Sequence, residues 1–386
     1  MDAVPSATAR DRHLFGPGRK RLLALDGGGV RGVITVAFLE RMEAVLAAQE
    51  GRPVRLGDWF DLIGGTSTGA VIAGALALGH TTEDLKHFYL RLAPRVFRRP
   101  FWRVMGLQAK FDARALRYEI EQVVGARTLD SEDLVTGLCV VAKRMDTGSP
   151  WIIANNPRAP YWETPENRLF IGNRHYRLAN LVRASTAAPV YFDPELLPIV
   201  DGAVHGLFVD GGVTPHQNPA LALFLMTTFK AYGLCWPTGP ERLLVVSIGT
   251  GTYRSRLSLA ETRYIGAIGL AIRALSALIS DGSALVLALM QWLGECPAPW
   301  VINSELGDLR HDGLPGGKLF RFLRYDVPLD APWLAETLDL KLSERDVTRV
   351  RRMDDPGTIP LAYEIGRRAA ERQVKAEHLL NPARVD

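Results

Sequence analysis

Short apolar runs alternate with glycine-containing turns and helical segments over the first 80 residues. Residues 21–25 (RLLAL) form an apolar run that stops at an aspartate and three glycines, as a buried strand entering a tight turn does. Residues 33–49 follow with apolar positions at helical spacing. Residues 59–63 (WFDLI) repeat the strand pattern, and residues 70–78 form an almost wholly apolar helix that must be buried. This alternation predicts a parallel sheet with helices on its faces.

The later part of the chain continues the α/β pattern. Further strands are expected at four short apolar runs, and helices at two longer stretches: strands at 138–142, 151–154, 207–209 and 243–247, helices at 219–230 and 363–377. Residues 1–19 are polar and contain prolines and glycines, which predicts a flexible tail. We therefore expect one α/β domain over residues 20–320 and a helical C-terminal segment, residues 321–386, packed against it.

The most apolar stretch of the sequence is residues 264–294. Arg273 and Asp281 interrupt it, so no run of 18 uncharged residues exists and a transmembrane helix is not expected. Buried core helices are the favoured interpretation, and a helix lining an acyl-chain tunnel is the alternative. The N-terminus carries no apolar segment of the kind found in signal peptides, which favours a cytoplasmic protein with at most peripheral contact with the inner membrane.

Composition excludes several classes of protein. The chain has 386 residues, of which 47% are hydrophobic and 23% charged, so it is neither disordered nor a small disulfide-stabilised scaffold. Its formal charge of +4 is too small to indicate a nucleic-acid partner. The three cysteines form no closely spaced pair, and neither a calcium loop nor an HExxH motif is present. No metal or other cofactor is therefore expected.

Gly65-Thr66-Ser67-Thr68-Gly69 fits the G-x-S-x-G pattern of a nucleophile elbow. In this motif the serine sits on a strained turn between a strand and a helix, and the glycines on either side allow close packing. The apolar run before it and the buried helix after it supply that context. The helix N-terminus also adds positive potential near the serine. Ser67 is therefore the candidate nucleophile.

The glycine-rich turn over residues 26–32 (DGGGVRG) complements such a serine. Successive glycines at a strand end can direct backbone N–H groups towards one point and so form an oxyanion hole, with Arg31 adding a nearby positive charge. The same glycines also match the dinucleotide-binding pattern G-x-G-x-x-G. That pattern requires an acid about 20 positions later at the end of the next strand, and Asp58 and Asp61 meet this only loosely.

A third element, Asp210-Gly211-Gly212, follows the strand expected at 207–209. An acid held at a strand end could act as a base, although a turn aspartate is the ordinary interpretation of such a residue. A histidine could serve instead, in the order serine, aspartate, histidine. The histidines downstream of the serine are His205, His216, His311 and His378. None of them lies in a turn as well defined as that of Asp210.

In chain order these three motifs are DGGGVRG at 26–32, GTSTG at 65–69 and DGG at 210–212, and in that order they resemble those of the patatin-like phospholipases. The resemblance extends to residues 184–192 (ASTAAPVYF), to residues 247–251 (SIGTG) and to the C-terminal region from 321 to 378, and so covers most of the chain. Ala70 departs from the family, since many members carry a glycine there. The implied fold is the patatin-type three-layer α/β/α sandwich with a mostly parallel central sheet.

The resemblance also assigns roles to the motif residues. Ser67 would be the nucleophile and Asp210 the base, without a histidine. The N–H groups of Gly28 and Gly29, with Gly27 or Val30, would form the oxyanion hole, and Arg31 would support it. The motif glycines that would shape the site are Gly65, Gly69, Gly211 and Gly212. The implied reaction is hydrolysis of fatty acyl esters of phospholipids or lysophospholipids without a metal.

Three alternatives stay open at this point. One is an α/β-hydrolase esterase with a histidine in a triad. Another is a regulated effector, since some bacterial patatin-like proteins are activated by a nucleotide second messenger and degrade membrane during phage defence. The last is a non-catalytic binding protein. The lipid head group, the ester position and the oligomeric state are not predicted.

A candidate membrane contact lies at residues 91–117, where eight basic residues accompany one acid, Asp112, and several large apolar side chains. Basic and aromatic residues together suit an anionic bilayer surface, whereas a solvated basic face over core aromatics is the competing interpretation. The basic residues are Arg91, Arg95, Arg98, Arg99, Arg103, Lys110, Arg114 and Arg117, and the apolar ones Phe97, Phe101, Trp102, Met105, Leu107 and Phe111.

Overall fold

The computed structural model describes residues 7–97, 109–253 and 265–379. Within these residues nine strands form one sheet in the order β5-β6-β3-β2-β1-β7-β9-β8, with β4 paired to β3. The strands are β1 (Lys20–Leu25), β2 (Leu62–Thr66), β3 (Gly137–Arg144), β4 (Pro150–Ala154), β5 (Glu195–Val200), β6 (Val204–Asp210), β7 (Leu243–Ile248), β8 (Gly294–Glu295) and β9 (Phe320–Tyr325).

Helices cover both faces of this sheet. They are α1 (Ala9–Phe15), α2 (Gly32–Glu50), α3 (Leu56–Trp59), α4 (Thr68–Ala77), α5 (Thr82–Val96), α6 (Ala113–Val124), α7 (Leu178–Ser185), α8 (Ala220–Thr228), α9 (Ala267–Leu293), α10 (Ala331–Leu338), α11 (Glu344–Val350), α12 (Ile359–Gln373) and α13 (Ala376–Leu379). Short 3₁₀ turns lie at Gly29–Arg31, Asn173–His175, Gly211–Val213, Lys230–Tyr232 and Pro356–Thr358.

Alternation along β1 shows why the sheet has a layer of helices on each side. Leu23 and Leu25 belong to the core under α2 and α4, whereas Leu22 and Ala24 belong to the core under α8 and α9. Strands buried on both faces become continuous apolar runs, and parallel sheets are covered in this way. The sequence prediction of a three-layer α/β/α fold is confirmed.

The pairing is mostly parallel and brings strand ends to one edge. Strands β3, β2, β1, β7, β9 and β8 run parallel to their neighbours in that series, whereas β4, β5 and β6 pair in the antiparallel sense. Ligand sites in open α/β sheets lie beyond the carboxyl ends of the strands. The turns that follow β1 and β2 therefore emerge side by side at that edge.

Two sequence expectations about element boundaries in the N-terminal part of the chain are wrong. Residues 9–15 of the expected tail form α1, in which Leu14 is buried against Gly137 and the Leu14 carbonyl accepts a hydrogen bond from the Trp236 indole at 2.8 Å. Residues 1–6 lie outside the described residues. Trp59 ends a short helix, and the second strand begins only at Leu62 and continues through two glycines.

The C-terminal segment expected at residues 321–386 is not separate from the sheet. Its first residues belong to β9, which pairs in parallel with β7 in the register Leu244 to Arg321. A boundary at residue 320 would therefore divide a strand of the central sheet. The helices after β9 do pack outside, with α12 lying against α2.

Helix α9 departs from the expectation of a buried core helix. Its C-terminal part is buried at Val286 and Met290, but its first half is exposed, with Leu278 68% exposed and Leu270 54% exposed. By length and apolar composition Gly269–Leu293 could cross a membrane despite Arg273 and Asp281, and only 11% of its most apolar window is buried. The first half of α9 is therefore an exposed apolar helix that extends away from the sheet.

The basic region at residues 91–117 is described only at its two ends, and residues 98–108 lie outside the described residues. Phe97 and Phe111 pack edge to face at 5.3 Å in the core. The described cations are paired, with Arg95 on Glu119 at 3.0 Å and Lys110 on Asp354. At its described ends, this region is therefore a solvated basic surface over core aromatic side chains.

Candidate active site

Ser67 occupies a strained turn between β2 and α4. Its backbone has φ 56° and ψ −124°, a conformation that non-glycine residues rarely adopt. The flanking glycines are required by packing, because a Cβ at Gly65 would lie 2.1 Å from the Gly69 carbonyl oxygen and one at Gly69 would lie 2.2 Å from the Leu25 carbonyl oxygen. The turn has the conformation of a nucleophile elbow, with the serine at the N-terminus of α4.

Asp210 is hydrogen-bonded directly to this serine. Ser67 Oγ donates to Asp210 Oδ2 at 2.5 Å, and the Gly212 N–H donates to Asp210 Oδ1 at 2.7 Å. Strand β6 ends at Asp210, which pairs with Ala142 of β3, while Thr66 of β2 pairs with the adjacent Val141. The order of the strands thus places an acid two strands away within reach of the serine. Gly211 follows in a 3₁₀ turn and its carbonyl accepts from Thr214 Oγ1 at 2.6 Å.

Burial changes the acidity of Asp210. Only 5% of the residue is exposed, and loss of solvent raises the pKa of its carboxyl group to about 6. The Ser67 hydroxyl, the Gly212 N–H and the charge of Arg183 all act in the opposite direction and limit the rise. A carboxylate with a pKa near 6 is ionised at neutral pH and still basic enough to accept a proton.

The C-terminal end of α7 and the residues just after it support both members of this pair. Ser185 Oγ accepts the Ser67 backbone N–H at 2.8 Å and donates to the Val141 carbonyl at 2.6 Å. The Ala187 carbonyl accepts the Asp210 N–H at 3.0 Å. These residues fall in the motif at 184–192 that the sequence comparison singled out. The motif fixes the backbone of the serine and of the aspartate relative to one another.

Residues 26–32, termed the glycine loop, follow β1 and lie beside the elbow. The Gly28 and Gly29 N–H groups have no acceptor among the described residues and remain available to an oxyanion. The Gly27 N–H donates to the Gln217 carbonyl at 3.2 Å, and the Val30 N–H donates to the Met353 carbonyl at 3.0 Å. Because these two donors are already used in the structure, Gly28 and Gly29 are the better candidates for the oxyanion hole, and a contribution from Gly27 or Val30 stays a prediction.

The glycine loop is packed against the loop that follows β7. A Cβ at Gly28 would lie 2.2 Å from Thr250 Oγ1, and that hydroxyl donates to the Gly27 carbonyl at 2.8 Å. Arg31 is buried, and its Nη1 donates to the Gly251 carbonyl at 3.1 Å. Burial lowers the pKa of the Arg31 guanidinium. Arg31 therefore joins the two loops as well as adding positive charge.

A buried ionic cluster behind the loop was not found by sequence reasoning. Arg324 donates to both carboxylate oxygens of Asp26, at 3.1 and 2.6 Å, and to Asp326 at 2.6 Å. Asp326 in turn accepts the Gly251 N–H at 2.8 Å. Burial acts to lower the pKa of Arg324, but the charges and hydrogen bonds of Asp26 and Asp326 together raise it, so the cation stays protonated. The only signal in the sequence was a charged pair around Tyr325 within an apolar run.

The histidines do not compete for this role. Neither Ser67 nor Asp210 is hydrogen-bonded to a histidine ring in the part of the chain that the structure describes. His216 lies six residues after Asp210, and its carbonyl, rather than its ring, accepts from Thr66 Oγ1 at 2.6 Å. His378 stacks on Tyr325 and bonds its hydroxyl at 3.0 Å. No group of acids, histidines and cysteines among the described residues is arranged to hold a metal.

Comparison with known proteins gives one family and several relatives. A family model described as patatin-like phospholipase matches residues 23–224. A cGAMP-activated phospholipase of Escherichia coli (strain TW11681) is 29% identical over 60% of this chain and 62% of its own length. A cGAMP-activated phospholipase of Vibrio cholerae is 28% identical over 64% of this chain and 68% of its own length. A cUMP-AMP-activated phospholipase of Escherichia coli is 30% identical over 60% of this chain and 65% of its own length. This chain thus matches less than two thirds of the length of two of these three relatives.

Proposed function

The chain belongs to the patatin-like phospholipase family, and we propose that it is a lipid acyl hydrolase that cleaves fatty acyl esters of phospholipids or lysophospholipids. The observation that carries the proposal is the 2.5 Å hydrogen bond from Ser67 Oγ to Asp210 Oδ2 at the strained elbow. Nucleophile and base are already in contact, as general-base catalysis requires. A non-catalytic protein has no evident use for a strained serine bonded to a buried carboxylate.

Acylation is the first half of the proposed reaction. Asp210 accepts the Ser67 hydroxyl proton while Oγ forms a bond to the ester carbonyl carbon. The carbonyl oxygen becomes an oxyanion, which accepts hydrogen bonds from the Gly28 and Gly29 N–H groups. Collapse of this intermediate breaks the ester C–O bond, and the departing alkoxide takes the proton from Asp210. The fatty acyl group is then held as an ester on Ser67.

Deacylation reverses these roles with water as the nucleophile. Asp210 accepts a proton from water while the water oxygen attacks the acyl carbon. The same glycine N–H groups bind the second oxyanion. Collapse breaks the bond to Ser67 Oγ, which recovers the proton from Asp210, and the free fatty acid leaves. The N-terminus of α4 adds positive potential at both stages.

Release of free fatty acid from mixed phosphatidylcholine and phosphatidylethanolamine vesicles tests this function. Ser67→Ala and Asp210→Asn should each abolish release, and Ser304→Ala and Asp312→Asn at exposed positions serve as matched controls. Retained release by Asp210→Asn would contradict the dyad and favour a histidine base. Labelling of Ser67 by a fluorophosphonate reports on the nucleophile independently of the lipid supplied.

We propose in addition that the exposed half of α9 brings the site to a lipid surface. A Cβ at Gly282 would lie 3.2 Å from Pro215 Cα, so α9 leaves the sheet layer beside the loop that follows Asp210. From there its apolar side chains project on all sides, which suits insertion among acyl chains. This arrangement fits a location in the cytoplasm, with the protein in peripheral contact with the inner membrane.

The names of the relatives support a regulated form of this activity. Two are called cGAMP-activated and one cUMP-AMP-activated phospholipases. We propose that the hydrolase activity of this chain also responds to a cyclic dinucleotide. Fatty acid release measured with and without each dinucleotide tests the response, and identical rates would leave an unregulated hydrolase.

A further inference from the structure

A cavity of 540 Å³ lies at the N-terminal end of α7, and no active-site residue lines it. Its volume falls in the range of about 300–1,000 Å³ that is common for small-molecule sites. Three basic side chains line it, those of Arg168, His175 and Arg177, against one acid, Asp201. None of the three makes an ion pair or a side-chain hydrogen bond with the described residues. We call this the α7 cavity. Its charge suits an anion, and arginine binds phosphate oxygens through two parallel N–H groups.

The other walls of the α7 cavity suit a ring system. Phe170 and Tyr176 contribute aromatic rings, and Asn180 contributes a side-chain amide. The Tyr176 hydroxyl donates to the Pro198 carbonyl at 2.9 Å, which holds that ring in place. Aromatic and guanidinium planes stack on nucleobases, and amides read base edges. Basic side chains that can bind phosphate lie beside aromatic rings that can stack on bases. This combination suits a nucleotide better than it suits phosphate alone.

Helix α7 connects this cavity to the candidate active site. Arg177 precedes its first turn and Asn180 lies in that turn. Ser185, its last residue, accepts the Ser67 N–H, and the Ala187 carbonyl just beyond accepts the Asp210 N–H. An eight-residue helix is about 12 Å long. One short rigid element therefore has the cavity at one end and both members of the dyad at the other.

A chain of polar contacts runs alongside the helix. Asn180 Oδ1 accepts from Arg117 Nη1 at 3.1 Å, and Arg117 is also paired with Glu195. The second carboxylate oxygen of Glu195 lies 4.0 Å from Nε of the buried Arg183. The charge of Arg183 favours the ionised form of Asp210 and so lowers its pKa. A ligand that moves Asn180 would thus disturb groups that act on the base.

We propose that the α7 cavity is the binding site for the cyclic dinucleotide, and that its occupation acts on Ser67 and Asp210 through α7. The inference rests on the regulated hydrolase proposed above and adds the location of the regulator. Arg168 and Arg177 would bind the phosphodiester groups, and Phe170 would stack on a base. A phospholipid head group shares the phosphodiester but lacks the bases, so the two ligands are distinguished by experiment.

Binding is tested by calorimetric titration of the full chain with cGAMP and, in parallel, cUMP-AMP. The double variant Arg168→Gln/Arg177→Gln should weaken dinucleotide binding by roughly 100-fold, because two charge-assisted contacts are lost. Arg345→Gln, an exposed arginine on α11, should bind as the wild type does. Phe170→Ala should weaken dinucleotide binding roughly tenfold without changing net charge. Undetectable binding to the wild type, or equal binding by the double variant, would overturn the proposed site.

Two competition experiments distinguish a dinucleotide from inorganic phosphate and from a phospholipid head group as the ligand. Inorganic phosphate and phosphatidylglycerol vesicles should fail to displace cGAMP at comparable concentrations. Displacement by either one would show that the cavity reads phosphate alone, and the nucleotide assignment would fall. The cGAMP concentration for half-maximal fatty acid release should rise in the double variant by the same factor as the dissociation constant. An unshifted activation curve would show that this cavity is not the regulatory site.

Failure of the hydrolase and failure of the site give different results. Binding is measured without catalysis, so it stays interpretable if no lipid is cleaved. If Ser67 resists the fluorophosphonate and no ester is hydrolysed, the proposed hydrolase fails whatever binds. If a dinucleotide binds and stimulates hydrolysis equally well in the wild type and in Arg168→Gln/Arg177→Gln, the site inference fails alone.

Discussion

Arg324 holds Asp26 through two hydrogen bonds, of 3.1 and 2.6 Å, and so ties strand β9 to the first residue of the glycine loop. Both side chains are buried, and Asp326 completes the cluster on the other side of the guanidinium. The loop that offers Gly28 and Gly29 to an oxyanion is thus anchored by a residue far along the chain. The position of the glycine loop is therefore fixed relative to the central sheet.

Arg324→Met should destabilise the protein strongly. The change leaves two buried carboxylates without their cation, which typically costs about 3–5 kcal/mol. Urea denaturation measures the loss, with Arg345→Met at an exposed position as the control. Asp26→Asn combined with Arg324→Met should cost less than the sum of the two single changes, since the partners act as a pair. Additive losses would contradict the coupling.

The rate of ester hydrolysis should follow the ionisation of Asp210. Because the base must be deprotonated, kcat/KM on a soluble p-nitrophenyl ester should rise through a pKa of about 6 and level off above it. Arg183→Met removes a positive charge that favours the carboxylate, so its midpoint should lie at higher pH than that of the wild type, and Arg183→Lys should restore it. A pH-independent rate between pH 4 and 8 would contradict the assignment of Asp210 as the base.

Asp210→Asn should be more stable than the wild type at neutral pH. The folded-state pKa of Asp210 is raised to about 6, so its contribution to stability is fully present below about 3.8 and is lost as the pH rises through 6. The variant lacks this loss and should gain on the order of 3 kcal/mol at pH 8 but little at pH 4. Thermal denaturation at the two pH values measures the difference. A gain that is the same at both would show that ionisation is not its source.

Gly28→Ala should reduce hydrolysis by about 10²–10³-fold, the usual effect of losing one oxyanion donor. The new Cβ would lie 2.2 Å from Thr250 Oγ1, so the loop must shift and its N–H groups move away from the oxyanion. Gly313→Ala, where no atom lies within 4 Å of the added carbon, provides the matched control. Burst kinetics with the p-nitrophenyl ester measure the acylation step. Acylation at the wild-type rate would contradict a role for Gly28.

Leu275→Glu and Leu278→Glu on α9 should each weaken vesicle binding by roughly tenfold, because a carboxylate opposes insertion into acyl chains. Hydrolysis of the soluble p-nitrophenyl ester should stay at the wild-type rate. Leu196→Glu, a 60% exposed leucine on β5, is the control for added charge. Co-sedimentation with phosphatidylglycerol-containing vesicles gives the binding constant. Unchanged sedimentation of both α9 variants would contradict the proposed membrane contact.

The parts of the site that depend on local sequence could be predicted. The elbow around Ser67 needs only a strand, a turn and a helix, and its flanking glycines mark it. Asp210 was recognised in the same way, as an acid at a strand end before two glycines. The sequence cannot show that β6 runs antiparallel beside β3, which is what brings Asp210 into contact with Ser67. That contact depends on the order of strands in the sheet.

Features that depend on distant partners were missed or mistaken. The Gly27 and Val30 amides are occupied by the carbonyls of Gln217 and Met353, which no local pattern reveals. The more charged composition of the chain beyond residue 320 predicts an outer segment, whereas residues 321–325 belong to β9 of the central sheet. In the structure Arg324 is buried by two aspartates. Helix α9 was expected in the core because composition alone does not distinguish burial in protein from exposure to an apolar partner.

The long separation between the glycine loop and its anchors has a consequence for synthesis in the cell. Arg324 follows Asp26 by 298 residues, and the Met353 carbonyl that orders Val30 is made later still. A chain emerging from the ribosome carries its serine early but acquires the Arg324 anchor only after 298 residues beyond Asp26 have been added. The order of translation therefore delays assembly of the glycine loop.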